Sequence, residues 1–155
     1  MTFDGKNAVI TGASQGIGLA ISAALSQAGA GVVLLGRERK RLAEAAQSFA
    51  SAGTKPPLLI EADLSDPVHL TRAAQEISAS LSSVDILINC GGGYWRGRWN
   101  EGTAEVLDDL LRTNVTGAYT LTRLLLPRLV QSRGDVVFVV SSIAQSAGQN
   151  AGLYK

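Results

Sequence analysis

Residues 11 to 18 read Thr11-Gly12-Ala13-Ser14-Gln15-Gly16-Ile17-Gly18, directly after the apolar run Ala8-Val9-Ile10 and directly before residues of helical period. Glycines at such a junction let the backbone turn sharply and let an anion come close to it. A helix starting there adds free N–H groups and the positive end of its dipole. That is the chemistry of a phosphate or pyrophosphate cradle, and a purely structural strand-to-helix turn is the plainer alternative. The next apolar run ends Leu35-Gly36-Arg37-Glu38. Dinucleotide-binding folds select here between a ribose 2′-hydroxyl, which an acid binds, and a 2′-phosphate, which a guanidinium suits. Arg37 stands at the place for the phosphate, or else it opens the solvated charged run Glu38-Arg39-Lys40-Arg41.

Further along, Asn114 shares an apolar stripe with Leu107, Leu111 and Ala118. A polar amide facing a core must be hydrogen-bonded, so Asn114 is either a satisfied packing residue or a functional one. Ser141-Ser142 closes the fifth apolar run, where hydroxyls at a strand's carboxyl end would overlook a cofactor crevice or simply begin a loop. Cys90 reads as a small core residue rather than a reactive thiol. The segment Tyr94-Trp95-Arg96-Gly97-Arg98-Trp99 suits an aromatic or anionic substrate, and equally a surface or subunit contact.

The elements that must place these residues follow from hydrophobic period. Five short runs are continuous rather than alternating: 8–10, 32–35, 58–60, 86–88 and 136–140. Continuous runs suit strands buried on both faces of a parallel sheet. Four helical segments lie between them. Ile17, Ile21, Ala24, Leu25 and Ala28 mark the first, with Gly29 as its stop. Leu42, Ala45, Ala46 and Phe49 mark the second. Asp66-Pro67 caps a third that continues through Leu70, Ala74, Ile77 and Leu81. Leu107, Leu111, Ala118, Leu121 and Leu125 mark a longer fourth, with a bend expected at Pro127. The alternation predicts a single α/β domain over residues 1–155, a Rossmann-type doubly wound parallel sheet in strand order 3-2-1-4-5.

Composition narrows the function classes. The chain has 155 residues, 46% of them hydrophobic and 17% charged, with a net charge of +1. No broad basic surface argues for nucleic acid or an anionic membrane. The single cysteine excludes an internal disulfide, and one Cys with one His (His69) leaves a structural metal site without ligands. No apolar run reaches the roughly 18 residues of a membrane span, and residues 1–6 lack a signal-peptide pattern. A cytoplasmic location is the resulting expectation.

The spacing of Gly12, Gly16 and Gly18 resembles that of the short-chain dehydrogenase/reductase family, over nearly the whole chain. The resemblance implies an oxidoreductase that moves a hydride between NADP(H) and a small carbonyl or alcohol substrate, in a homo-oligomeric parent. It implies cofactor contacts from Gly12, Ser14, Gln15, Gly16, Ile17, Gly18 and Arg37. It assigns Asp63 and Leu64 to the adenine, and Asn89 and Gly91 to the ribose, Asn89-Cys90-Gly91-Gly92 being a partial match to the family's Asn-Asn-Ala-Gly. It gives Asn114 a place in the proton relay, Ser142 (or Ser141) the polarisation of the carbonyl, and Tyr154 the proton. No metal is implied. Relatives carry a lysine four positions after the tyrosine, here position 158, and Lys155 stands only one position after Tyr154. The expectation is therefore a domain truncated at its active-site tyrosine, with C-terminal strands missing. Alone it would be inactive and poorly soluble, because Val136 to Val140 would form a bare apolar sheet edge. The alternative is a catalytically inactive nucleotide-binding polypeptide of the same fold.

Overall fold

The computed structural model of the protein describes residues 2–141. Strands and helices alternate along the chain: β1 (Asn7–Thr11), α1 (Gly16–Gln27), β2 (Gly31–Gly36), α2 (Arg39–Ser51), β3 (Leu58–Glu61), α3 (Pro67–Ser80), β4 (Ile86–Asn89), α4 (Ala104–Leu111), α5 (Gly117–Ser132) and β5 (Asp135–Phe138). All strand pairs are parallel, in the order β3-β2-β1-β4-β5, with Val9 opposite both Val33 and Leu87. That is the expected doubly wound sheet. The fifth strand starts one residue earlier than its apolar run and ends at Phe138, though the Val139 N–H still donates to the Asn89 carbonyl at 2.9 Å.

Each central strand feeds two cores, which is why its sequence does not alternate. Val9, Val33, Leu35 and Leu87 pack with Leu70 and Ile77 of α3 and Leu121, Leu125 and Leu129 of α5. Ala8, Ile10, Val32 and Leu34 point the other way, onto Leu42 and Phe49 of α2 and the α1 side. Burying one such Leu or Ile side chain contributes about 1.5–3 kcal/mol. Among the described residues no helix is long and apolar enough to cross a membrane.

The caps follow sequence. Asp66 accepts from the N–H groups of Val68 and His69 ahead of Pro67. Gly29, at φ +100°, ends α1 in the left-handed region. Two helical phases differ from expectation. The α1 face most deeply buried is Gly18, Ser22 and Ser26, whereas Ile17 is 63% exposed. Small side chains let α1 lie close to the sheet, so its large residues flank the contact. The fourth helical segment is interrupted not at Pro127 but by a π-turn at Arg112–Thr116. One extra residue in that turn rotates α4 by about 100° relative to an uninterrupted helix. Leu110 then shares the buried side with Ala118 and Leu121, while Leu107 and Leu111 are exposed.

At the amino ends of the central strands, buried Asp85 joins three of them. Its carboxylate accepts from Lys6 Nζ at 2.8 Å, the Asn7 N–H at 3.0 Å and Ser83 Oγ at 2.8 Å. Its backbone bonds both Asn7 and Asp135. Burial alone would raise the carboxyl pKa, but these hydrogen bonds and the Lys6 charge outweigh burial and hold it below the ordinary value. The stabilisation is therefore present above the unfolded pKa of about 4 and fades as pH falls through the lower folded one. Asp85→Ala is expected to lower unfolding free energy by about 2–4 kcal/mol at neutral pH. Denaturant melts should show the gap between variant and parent closing toward acid, and a pH-independent gap would exclude the ionic origin.

Candidate functional site

A cleft of about 540 Å³ opens at the carboxyl ends of the strands, where β2 and β4 leave β1 on opposite sides. Open α/β sheets offer ligands a crevice at this switch point. The loops after β1 and β4 meet there backbone to backbone. Gly12 has φ +65°, and a Cβ on it would stand 2.6 Å from Gly91 Cα. Thr11 Oγ1 ties the loops together, accepting from the N–H groups of Cys90 at 3.0 Å and Gly91 at 2.8 Å. A Cβ on Gly91 would lie 2.8 Å from Leu64 Cδ1, so Leu64 supports the contact from beneath.

The N-terminus of α1 faces the cleft through Gly16, Ile17 and Gly18. Its N-cap, Gln15, makes no side-chain cap, so the first-turn N–H groups remain available to an anion. A pyrophosphate fits this cradle: Gly12, Gly16 and Gly18 put no side chain into it, and no acidic side chain occupies the first turn of α1.

Ser14, Gly36, Arg37, Glu38 and Arg41 form the outer end. Glu38 Oε2 lies 3.0 Å from Arg41 Nε. Asp63 stands behind this end and does not itself line the cleft. Its Oδ1 accepts from both the N–H and Oγ of Ser65 at 2.8 Å. Burial opposes its ionisation, but the Ser65 bonds and the charges of Arg37 and His69 prevail and hold its pKa down. Asp63 is thus a fixed anion that stabilises Arg37 from outside the cleft.

At the inner end, Asn114 in the π-turn clasps Gly93 twice. Its Oδ1 accepts from the Gly93 N–H at 2.7 Å and its Nδ2 donates to the Gly93 carbonyl at 2.9 Å. The amide is satisfied, and its neighbour Thr113 lines the cleft instead. Asn89 also lies off the lining. It is buried, its Nδ2 donates to Thr122 Oγ1 at 3.2 Å, and its Oδ1 has no hydrogen-bond partner among the described residues. Cys90 lines the cleft, and burial pushes its thiol pKa up, which makes it a weak nucleophile near neutrality. Tyr94, Trp95, Arg96 and Arg98 do not line the cleft, and the Trp95 ring folds over Gly97.

Of the residues expected at a site, Gly12, Ser14, Gln15, Gly16, Ile17, Gly18, Arg37, Leu64 and Gly91 therefore share one cleft, whereas Asp63, Asn89 and Asn114 are off its lining, each next in sequence to a residue that lines it. Ser141 lines it as well. Ser142 and Tyr154 lie outside the described residues. Arg41 and Thr113 were not singled out by sequence. Arg41 could have been, since it belongs to the same charged run, four residues after Arg37. No group of three or more His, Cys, Asp or Glu side chains fit to hold a metal occurs among the described residues.

Comparison with known proteins gives one consistent result. The model of the short chain dehydrogenase family matches residues 6–155. Dehydrogenase/reductase SDR family member 7B of Bos taurus is 36% identical over 140 residues, covering 87% of this chain and 43% of the relative. The ketoacyl reductase HetN of a Nostoc species is 30% identical, over 95% of this chain and 51% of the relative. An Escherichia coli chain solved in complex with NADPH superposes with a TM-score of 0.90 at 28% identity, over 97% of this chain and 65% of that one. The chain spans about half the length of the curated relatives it matches.

Proposed function

The chain belongs to the short-chain dehydrogenase family, and on that premise we propose that it binds NADP(H) in the cleft and that the natural protein interconverts a small carbonyl compound and its alcohol. The observation that carries the reading is the meeting of the two glycine loops beneath the uncapped N-terminus of α1, with Arg37 at the outer end. The NADPH bound by the structural relative and the ketoacyl substrate named for the Nostoc relative support it.

In this reading each part of the chain has a definable task. The backbone N–H groups of residues 16–18 bind the pyrophosphate, with Ser14, Gln15 and Ile17 shaping the approach. Arg37, steadied by Asp63, pairs with the 2′-phosphate, and Leu64 packs beside the adenine. Gly91 leaves room for the nicotinamide ribose, while Asn89, bonded to Thr122, holds the end of β4 in place. Bound NADPH supplies the hydride. Ser142 or Ser141 donates a hydrogen bond to the substrate carbonyl, and Tyr154 delivers the proton to that oxygen as the carbon is reduced. Asn114 supports the relay from a position where its amide fixes the Gly93 backbone.

Cofactor choice tests the reading directly. NADPH should bind more tightly than NADH, and Arg37→Asp should erase about 1–3 kcal/mol of that preference. Titration of both nucleotides by protein fluorescence, in parent and variant, measures it. Equal affinities in the parent would end the assignment of NADP(H).

A further inference from the structure

The acid–base pair at the outer end of the cleft has no role in the reading above. Arg41 sits in the first turn of α2, Arg37 lies just before that helix begins, and both line the cleft with Glu38. Glu38 holds Arg41 by its Nε, and each of the two side chains is about half exposed. Among the described residues no hydrogen bond engages the terminal nitrogens of Arg41, which are the donors a guanidinium offers to a phosphate. Arg37 enters no ion pair within 4.0 Å among those residues, though Asp63 feels its charge. The outer end thus carries two guanidinium groups and one carboxylate. A dianionic 2′-phosphate placed there meets attraction from Arg37 and Arg41 and repulsion from Glu38.

We propose that Arg41 is a second specificity-determining residue for the 2′-phosphate and that Glu38, by pairing with it, limits how strongly the protein prefers NADP(H). The inference rests on the NADP(H) reading and goes beyond it by adding a tunable element. Glu38 competes with the phosphate for Arg41. Its removal frees the guanidinium and deletes a like charge at once. NADH has no 2′-phosphate, so neither effect strengthens its binding at this end.

The test is to titrate NADPH and NADH into the parent, Arg41→Ala, Arg41→Lys and Glu38→Gln proteins. Arg41→Ala should weaken NADPH about tenfold, with NADH changed less than about twofold, the discount for exposure included. Arg41→Lys should recover part of that loss by its charge alone. Glu38→Gln should tighten NADPH about threefold, and its NADPH affinity should fall more steeply with added salt than the parent's. A parent that does not prefer NADPH would refute the underlying assignment. A parent that prefers NADPH and loses the preference in Arg37→Asp, yet keeps it in Arg41→Ala, would refute this inference alone. Equal weakening of both nucleotides by Arg41→Ala, or weaker NADPH binding by Glu38→Gln, would also overturn it.

Discussion

Gly12→Val is expected to weaken NADPH binding by at least about 100-fold, the larger part of it from misplacement of the cradle rather than from lost contacts. Two independent strains meet at this position. The backbone sits at φ +65°, a region that disfavours β-branched residues by about 1–3 kcal/mol. The new Cβ would also lie 2.6 Å from Gly91 Cα and 2.9 Å from Gly91 N. Gly91 cannot retreat, because Leu64 lies behind it and Thr11 Oγ1 holds its N–H. The loops after β1 and β4 must therefore part, and the floor of the cleft moves with them. Gly53→Ala is the matching control. Gly53 has φ +68°, lies off the cleft lining, and a Cβ there meets nothing within 4 Å, so only backbone strain of about 1 kcal/mol, and no loss of NADPH binding, is expected. Calorimetric titration of NADPH, with a thermal melt to confirm folding, separates the two. Binding by Gly12→Val within threefold of the parent would show that the loop contact does not shape the site.

Tyr154→Phe in the natural protein is expected to lower kcat by about 10²–10⁴-fold while NADPH affinity stays within about twofold. The substitution removes one hydroxyl and keeps the ring, so loss of turnover without loss of binding isolates the proton donor. Ser141→Ala and Ser142→Ala, measured beside it, distinguish which hydroxyl polarises the carbonyl. The effective one should lower kcat/KM by about 10²-fold, the scale of one positioned donor to a developing oxyanion. Undiminished turnover in Tyr154→Phe would assign proton delivery to another group.

The sheet and the phosphate loop were legible because they are written in local, redundant signals. Continuous runs such as Val32 to Leu35 have only one comfortable home, a strand covered on both sides. The glycine turn lies between such a run and a helical period, so its position and its chemistry agree. Helix phase was less legible. Periodicity searches follow large apolar residues, but α1 turns Gly18, Ser22 and Ser26 inward to approach the sheet closely. The π-turn at 112–116 left no apolar signature, since it changes the phase of Leu107 and Leu111 without changing any residue type. Arg41 was hidden in a charged run that reads as a solvated face until the cleft places it beside Arg37. The placement of Asp63 behind Arg37, rather than in the cleft, depends on the Ser65 bonds and could not be read from spacing.

The clasp between Asn114 and Gly93 also ties two separate stretches of chain together. Its two hydrogen bonds join the loop after β4 to the π-turn, 21 residues further along the chain. At about 1 kcal/mol each, they contribute about 2 kcal/mol to holding the Gly93 backbone against that turn. The irregular turn and the glycine-rich loop are thus fastened to each other through a single amide.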